Sequence, residues 1–338
     1  MTETEFKTKA GEIKEAIGKT ENILLHLHPS PDPDSAGSVL ALAEYCERLG
    51  KEVTVIGGDS DLSPTLSVLP GFARILPKSY GEINPADYDL FLVLDSAAIT
   101  MISKKTKVFF PAEMTVINID HHISNSNYGQ INLVDTSAPA AAHILLELFL
   151  VWRADITPTM AANIYAGLHS DTGGFRYGNT TARTLELAAL LLVKNPRATE
   201  TTLALGQNFP KGLLRYKALA FSSIEEIMDG RGAIIALSFS DLAKIGLKFS
   251  DTEAASLPTE LLAVKDWLVG ATLVEKEPGR VRASFRSKDA SVVDVSKIAA
   301  AFGGGGHALA AGALIISTLA EAKAKVVEAI GTAFSGQK

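Results

Sequence analysis

Four short segments of this chain carry Asp and His at points where apolar runs break into polar turns. They hold His28, Asp32 and Asp34 in HPSPDPDS, Asp95 in LVLDS, Asp120, His121 and His122 in NIDHH, and Asp171 in HSDTGG. Imidazole and carboxylate together suit Mn²⁺, Mg²⁺, Co²⁺ or Zn²⁺, and no cysteine is placed to make a softer set. Taken singly, each break has an ordinary alternative. The acids of HPSPDPDS could be a solvated surface turn, Asp95 an N-cap, and Asp171 a turn former bonding its own backbone. Four such breaks that converge would hold two divalent cations. Ions about 4 Å apart activate a water and stabilise the oxyanion of an in-line phosphoryl displacement. Metal-assisted phosphoester hydrolysis is the chemistry that such a set predicts.

Within the first segment, Pro29, Pro31 and Pro33 are expected to exclude helix and hold the chain extended. Asp32 and Asp34, two apart, then face the same side, where a cation relieves their repulsion. Ser35 is expected to cap the following helix, whose N-terminus favours a phosphate. Neighbouring strand residues face opposite ways, so His121 and His122 should differ in role, one on metal and one toward substrate. Gly173 and Gly174 after Asp171 let the backbone approach a ligand closely. His26, His143 and His169 read as packed or supporting histidines, outside the ligand set.

A second signal lies near the C-terminus. Gly303-Gly304-Gly305-Gly306-His307 is embedded in apolar sequence, unlike a flexible linker, and predicts a tight loop whose exposed amides bind an anion. His307 with Arg282 and Arg286 would add donors for a phosphate or base, Arg286 being the better placed.

Such residues need a frame. NILLHLH (22–28), KEVTVIGG (51–58), DLFLVLDS (89–96) and MTVINIDHH (114–122) read as buried strands, and SAGSVLALAEYCERLG (35–50) as a helix. Strands apolar on both faces and alternating with helices predict a parallel sheet between helical layers. Ligands of such sheets gather at the C-terminal strand ends, where His28, Asp95 and His121 fall. The N-terminal twenty residues and three runs between about 138 and 195 read as further helices. The polar stretch NPRATETTLALGQNFP predicts a connection, so the expected division is a first domain over 1–195, a linker over 196–215 and a smaller α/β domain over 216–338. In that domain GAIIALSFS (232–240) and the run 268–288, a hairpin turning at Glu277–Arg280, predict antiparallel strands. A last helix, LAEAKAKVVEAIGTAF, closes the chain.

Composition bounds the function. With 338 residues, two domains are expected. An apolar fraction of 47% and a charged fraction of 21% are those of a soluble globular protein. No apolar run approaches the roughly 20 residues of a membrane span, and the N-terminus has no secretory-type apolar stretch. A lone cysteine, Cys46, excludes an internal disulfide and suits a reducing cytoplasm; its surroundings, LALAEYCERLG, predict a packed helix position. The net charge of −6 argues against broad binding to long nucleic acid, but not against a small anion beside bound cations.

Taken together, these residues resemble the DHH phosphoesterase family. His28-x-x-Pro-Asp32-x-Asp34 is similar to its first motif, Asp95 to its second, Asp120-His121-His122 to its third and Asp171 to its fourth. The GGGGH run at 303–307 resembles the signature of the DHH-associated C-terminal domain, so the likeness covers nearly the whole chain. Length and content are most similar to the NrnA-type branch of bifunctional oligoribonucleases and phosphoadenosine-phosphate (pAp) phosphatases. The resemblance implies one metal held by His28, Asp32 and Asp95 and a second held by Asp34, Asp95, His121 and Asp171, with Asp95 bridging. It implies that His122 contacts the scissile phosphate and that Asp120 orients a neighbouring histidine. Arg286, Gly304, Gly305, Gly306 and His307 would hold the remainder of a short substrate in a cleft between the domains. Two Mn²⁺ ions, a short RNA, pApA or pAp as substrate, a cytoplasmic location and a homodimer follow as expectations. The alternatives are a cyclic dinucleotide phosphodiesterase, a family II-like pyrophosphatase, a RecJ-like exonuclease and a non-catalytic nucleotide-binding regulator.

Overall fold

Short runs of Leu, Ile and Val form the parallel strands that they predict. In the computed structural model, which describes residues 1–60, 62–207, 211–252 and 257–335, the chain divides into two units, Met1–Asn208 and Phe209–Lys338. The first begins with α1 (Glu3–Lys19), opened by a Thr2/Glu5 capping box, and continues through β1 (Asn22–His26), α2 (Pro33–Arg48) and β2 (Glu52–Ile56). β3 (Leu90–Leu94), β4 (Thr115–Asp120) and β5 (Ile131–Val134) follow, then α3 (Ala141–Trp152), α4 (Pro158–Asp171), α5 (Ala182–Lys194) and α6 (Ala198–Gln207). The sheet order is β2-β1-β3-β4-β5, with every pair parallel. β5 is a strand that the hydropathy pattern did not disclose, because its four residues are flanked by Gly129, Gln130 and Asp135 rather than by an apolar run.

The two faces of this sheet are covered differently. Ile23, Leu25, Leu90, Leu92, Ile117 and Ile119 pack under α1, α2, α3 and α4 in one core. Leu24, Phe91, Val93 and Val116 on the opposite face meet Tyr80, Ile102 and Met114 from irregular segments carrying short 3₁₀ turns. The expected helical layer is therefore missing on that side among the described residues. Pro64, Pro70, Pro77 and Pro85 interrupt any helix between β2 and β3. Cys46 is wholly buried in α2, and burial pushes its thiol up to about 12, in keeping with a packed residue.

The start of α2 also differs from expectation. Pro33 does not hold Asp34 extended; it occupies the first helical position, where its fixed φ and missing N–H cost nothing. The N-cap is Asp32, not Ser35, and Asp34 lies in the first helical turn. Helices α2 and α4 approach closely: a Cβ on Gly37 would fall inside van der Waals contact of the Asn163 carbonyl. The expected linker over 196–215 carries α6 and the start of α7 (Lys211–Ser222), while residues 208–210 lie outside the described residues.

The second unit continues from α7 through β6 (Ile224–Ile227), β7 (Gly232–Leu237), α8 (Phe239–Lys244), α9 (Leu257–Leu261), β8 (Val269–Glu277) and β9 (Arg280–Ser287). It ends with α10 (Val295–Ala300), β10 (Gly305–His307), β11 (Ala310–Ile316) and α11 (Leu319–Ser335). The order is β10-β11-β9-β8-β7-β6. The hairpin of β8 and β9 turns where expected, but β7 pairs with β8 in parallel, not antiparallel. Parallel pairing needs a long crossover, and residues 238–268 with α8 and α9 supply it. Ala271, Leu273, Ala283, Phe285, Ala311 and Ala313 pack against α10 and α11 on one face. No described helix is long and apolar enough to cross a membrane.

The α2–α4 contact has a measurable consequence. Gly37→Ala is expected to destabilise the protein by roughly 1–3 kcal/mol, because backbone lies in the way. Gly11→Ala in α1, where a Cβ meets nothing within 4 Å, is expected to stabilise it by up to about 1 kcal/mol. Chemical denaturation of both variants checks the contrast.

Candidate metal centre

The four segments meet beyond the C-terminal ends of β1, β3 and β4 and the end of α4. His28 follows β1 by two residues, Asp95 directly follows β3, and His121 and His122 follow β4. Asp95 has φ +52°, in the left-handed region that Asp adopts more readily than most side chains. Its amide still donates to the Ile119 carbonyl at 3.0 Å, so the strand ladder fixes where the turn begins. Asp95 is 2% exposed and stands between two imidazoles. His28 Nε2 lies 3.2 Å from its Oδ2, and His121 Nε2 lies 3.3 Å from its Oδ1.

Two clusters extend from this centre. His28, Asp32 and Asp95 present ligand atoms within 4.8 Å of one another, as do Asp34, His121 and Asp171. His121 Nε2 is also 3.6 Å from Asp171 Oδ2, and it joins the two clusters through its approach to Asp95. Buried polar atoms normally find partners. Here Asp95 Oδ1 and His121 Nε2 are buried and, although 3.3 Å apart, make no well-aligned hydrogen bond. His28 Nδ1 instead sits 3.0 Å from the Pro29 carbonyl, which only accepts, so the proton belongs on Nδ1 and Nε2 faces the carboxylates.

Asp32 and Asp34 are held by helix termini. Asp32 Oδ1 accepts from the amides of Asp34 and Ser35, both at 3.0 Å, and Oδ2 has no such duty. Asp34 is wholly buried and accepts from the first amides of α3, Ala141 at 2.7 Å and Ala142 at 2.9 Å. Helix α3 has no capping side chain of its own at Ala140, so a residue from α2 takes that place. Gly167 of α4 makes room, since a Cβ there would lie 2.7 Å from Asp34 Oδ1. Asp171 closes α4, at the helix end that disfavours a negative charge.

A third proximity involves Asp95, Asp120, His121 and His122. Both oxygens of Asp120 are already engaged, however. Oδ1 accepts from the His121 amide at 2.8 Å and from His122 Nδ1 at 2.7 Å, and Oδ2 accepts from Asn125 Nδ2 at 2.6 Å. Asp120 is thus a fully bonded support for His122 rather than an open ligand, and its hydrogen bond raises the His122 imidazole above the ordinary histidine range.

The electrostatics follow from four carboxylates crowded together, with Asp34 and Asp95 buried and Asp32 partly open to solvent. Burial alone would raise Asp95, but His121 and His28 more than reverse this and hold it well below the usual carboxylate range. In return, and against the depressing effect of burial, Asp95 lifts His28 and His121 each to about 9. Burial, then the Asp95 charge, pushes Asp34 up to about 7. Burial, then Asp34, Asp32 and Asp95, pushes Asp171 up to about 10, and burial with Asp95 raises Asp32. The protein supplies more negative charge than its own cations neutralise.

The remaining histidines stand apart from the clusters. His26 is wholly buried edge-on to Phe91, and burial lowers it to about 4. His143 lies beside Glu147, and His169 packs between Tyr165 and Phe175. Sequence reading missed Asn118 and Asn125, which bond to one another and, through Asn125, to Asp120. A polar residue inside the apolar TVINID strand was the available signal.

In the second unit the glycine run is a helix end and an edge strand rather than the single tight loop expected. The Gly303 and Gly304 amides donate to the Ala300 and Ala299 carbonyls and close α10. Gly305–His307 forms the edge strand β10 on β11. Glycine is required because a Cβ on Gly306 would lie 2.5 Å from the Ala310 carbonyl oxygen, and one on Gly304 would clash with Gly312 and Ala313. Arg286 and His307 are each in register with Ala310, so they share one sheet face, with Arg286 half-buried and His307 exposed. Arg282, four residues from Arg286 along β9, shares that face.

A parallel sheet with clustered His and Asp side chains at its strand ends, followed by a unit bearing a glycine-rich edge hairpin, is the arrangement expected of a phosphoesterase. The family model for the DHH family, N-terminal domain matches residues 22–168, and that for the DHHA1 domain matches residues 239–336. The chain belongs to the DHH phosphoesterase family. It is 31% identical over 314 residues to the probable bifunctional oligoribonuclease and PAP phosphatase NrnA of Streptococcus mutans, covering 92% of this chain and 93% of that one. It is 29% identical over 316 residues to the bifunctional oligoribonuclease and PAP phosphatase NrnA of Thermus thermophilus, covering 91% and 89%. The fold matches an exopolyphosphatase-related protein from Bacteroides fragilis with a TM-score of 0.89 over 97% of each chain, at 23% identity.

Asp171 sets stability against charge. Its folded-state pKa is raised to about 10, so its neutral form costs nothing below the unfolded value, and stability of the metal-free fold falls as pH climbs from there toward the folded value, because the unfolded chain releases the proton first. Asp171→Asn should therefore raise the melting temperature of metal-free protein at neutral pH, a gain of roughly 1–3 kcal/mol. A lower melting temperature in a calorimetric scan would contradict this account.

Proposed function

We propose that this chain is a Mn²⁺-dependent phosphoesterase that hydrolyses short oligoribonucleotides or linear dinucleotides such as pApA, and removes the 3′ phosphate of pAp. The observation that carries the chemistry is the pair of buried ligand atoms without a well-aligned hydrogen bond, Asp95 Oδ1 and His121 Nε2, amid four mutually repelling carboxylates. The substrate class is supported by relatives named as oligoribonuclease and PAP phosphatase across nine-tenths of each chain.

In this reading His28, Asp32 and Asp95 would hold one cation, and Asp34, Asp95, His121 and Asp171 would hold the second. The donor set fits, since His28 keeps its proton on Nδ1 and presents Nε2 to the carboxylates. Two divalent cations so held supply Lewis acidity and a nucleophile at neutral pH. Asp120 keeps a proton on His122 Nδ1 and aims the rest of the ring outward, toward a scissile phosphate. Arg286 and His307 supply donors to the remainder of the substrate, with the edge strand of Gly305 and Gly306 beside them; the half-buried arginine is the stronger donor. Hydrolysis forms a bond from a water oxygen to phosphorus and breaks the phosphorus–oxygen bond to the leaving nucleotide, whose oxygen takes its proton from solvent. The reading places the enzyme in the cytoplasm.

Two measurements test it. Turnover of pApA, pAp, cyclic di-AMP, pyrophosphate and RNAs of graded length with Mn²⁺ should be fastest on pApA and the shortest RNAs. Asp95→Ala should lose on the order of 10³-fold or more in kcat. Pyrophosphate as the best substrate, or full activity in that variant, would sink the reading. Second, Asp34, His28, His121 and Asp171 hold protons at about 7, 9, 9 and 10 in the metal-free protein. Mn²⁺ must displace these protons, so apparent affinity should rise with pH across that range. Titration calorimetry in buffers of different ionisation enthalpy reads the protons released; no buffer dependence would count against these ligands.

A further inference from the structure

Asp120 and His122 are aligned by two side-chain amides, Asn118 and Asn125, that lie outside the proposed ligand set. Asn118 projects from β4 and is wholly buried. Its Nδ2 lies 3.1 Å from the Ser96 carbonyl, which can only accept, so the orientation of the amide is settled and Oδ1 points the other way. Asn125 Nδ2 donates to that Oδ1 at 2.7 Å and spends its second hydrogen on Asp120 Oδ2 at 2.6 Å. Asn125 Oδ1 accepts from the Asn127 amide at 2.7 Å. Tyr128 reinforces the anchor, its hydroxyl donating to the same Ser96 carbonyl at 3.0 Å. Orientation thus passes from a backbone carbonyl beside Asp95, through two amides that cannot flip without losing donors, to Asp120 and the His122 ring.

We propose that Asn125, anchored by Asn118, is a positioning residue for phosphoester cleavage. It locks Asp120 so that His122 carries its proton on Nδ1 and holds Nε2 toward the scissile group, and it ties the His122 loop to the backbone that carries Asp95. The proposal rests on the reading that His122 reaches the phosphate. An amide is the side chain that fits, because the site needs two N–H donors on one atom and an acceptor beside it. Aspartate at 125 would oppose Asp120, and serine would satisfy one acceptor of two.

The test is a double-mutant cycle on pApA with saturating Mn²⁺. Asn125→Ala is expected to lower kcat by about 10–100-fold with KM changed less than about twofold, the usual weight of a supporting hydrogen bond at a metal site. Asn125→Ser should recover part of the loss, and it keeps the test open should the alanine variant not fold. In a His122→Ala background, Asn125→Ala should cost less than about twofold more, since the group it positions is gone. A purely structural role predicts the full loss again in that background, and such multiplicative behaviour would overturn the proposal. So would a raised KM at unchanged kcat. If His122→Ala alone kept full activity, the reading of His122 would fall and the proposal with it. If His122→Ala were inactive while Asn125→Ala matched the parent, the proposal alone would fall.

Discussion

Asp95 is a buried carboxylate in left-handed backbone with an imidazole on either side. Burying one charge is expensive, and burying it beside Asp32, Asp34 and Asp171 is more so. His28 and His121 offset part of that cost, and the remainder shows in the raised carboxyls of Asp34 and Asp171. Much of the first unit can be understood as scaffolding for this unfavourable concentration of charge. Parallel strands deliver the residues to one edge, the β3–β4 ladder continues through the Asp95 amide, and two helix N-termini supply amides to the acids.

Asp34 shows how closely scaffold and site are joined. Its oxygens cap α3, a helix whose own preceding residue is alanine, so removing the acid would remove a helix cap and a proposed ligand together. Gly167 permits this by carrying no Cβ, and Gly37 brings α2 against α4 in the same way. The packing of three helices and the placing of one carboxylate are a single arrangement. Asp171, at the unfavourable end of α4, shows the opposite case, in which position is kept at the expense of stability.

The charged cluster was legible in the sequence because its residues sit where hydropathy changes, and hydropathy is local. Strand runs ending in His28, Asp95 and His121 could be located without knowing how they pair. Three features were not legible for the same reason in reverse. Pro33 looks like an obstacle to helix until it is seen at the first helical position, which makes Asp32 the cap. β7 and β8 look like neighbours in an antiparallel meander, yet the crossover between them is long enough to make them parallel. The four glycines suggest a loop, but the close backbone of β11 shows them to be a helix cap and an edge strand.

The sequence by itself determined which Asp and His residues are candidates for the chemistry, their order and their place at the ends of apolar strands, because the pattern of burial along a chain is written in neighbouring side chains. Only the tertiary structure decided what each does. That Asp34 caps a helix more than a hundred residues away, that Asp120 is saturated while Asp95 is not, and that Asn125 reaches Asp120 all depend on hydrogen bonds between separate segments. Such bonds are set by register and by helix packing, which no stretch of sequence contains alone.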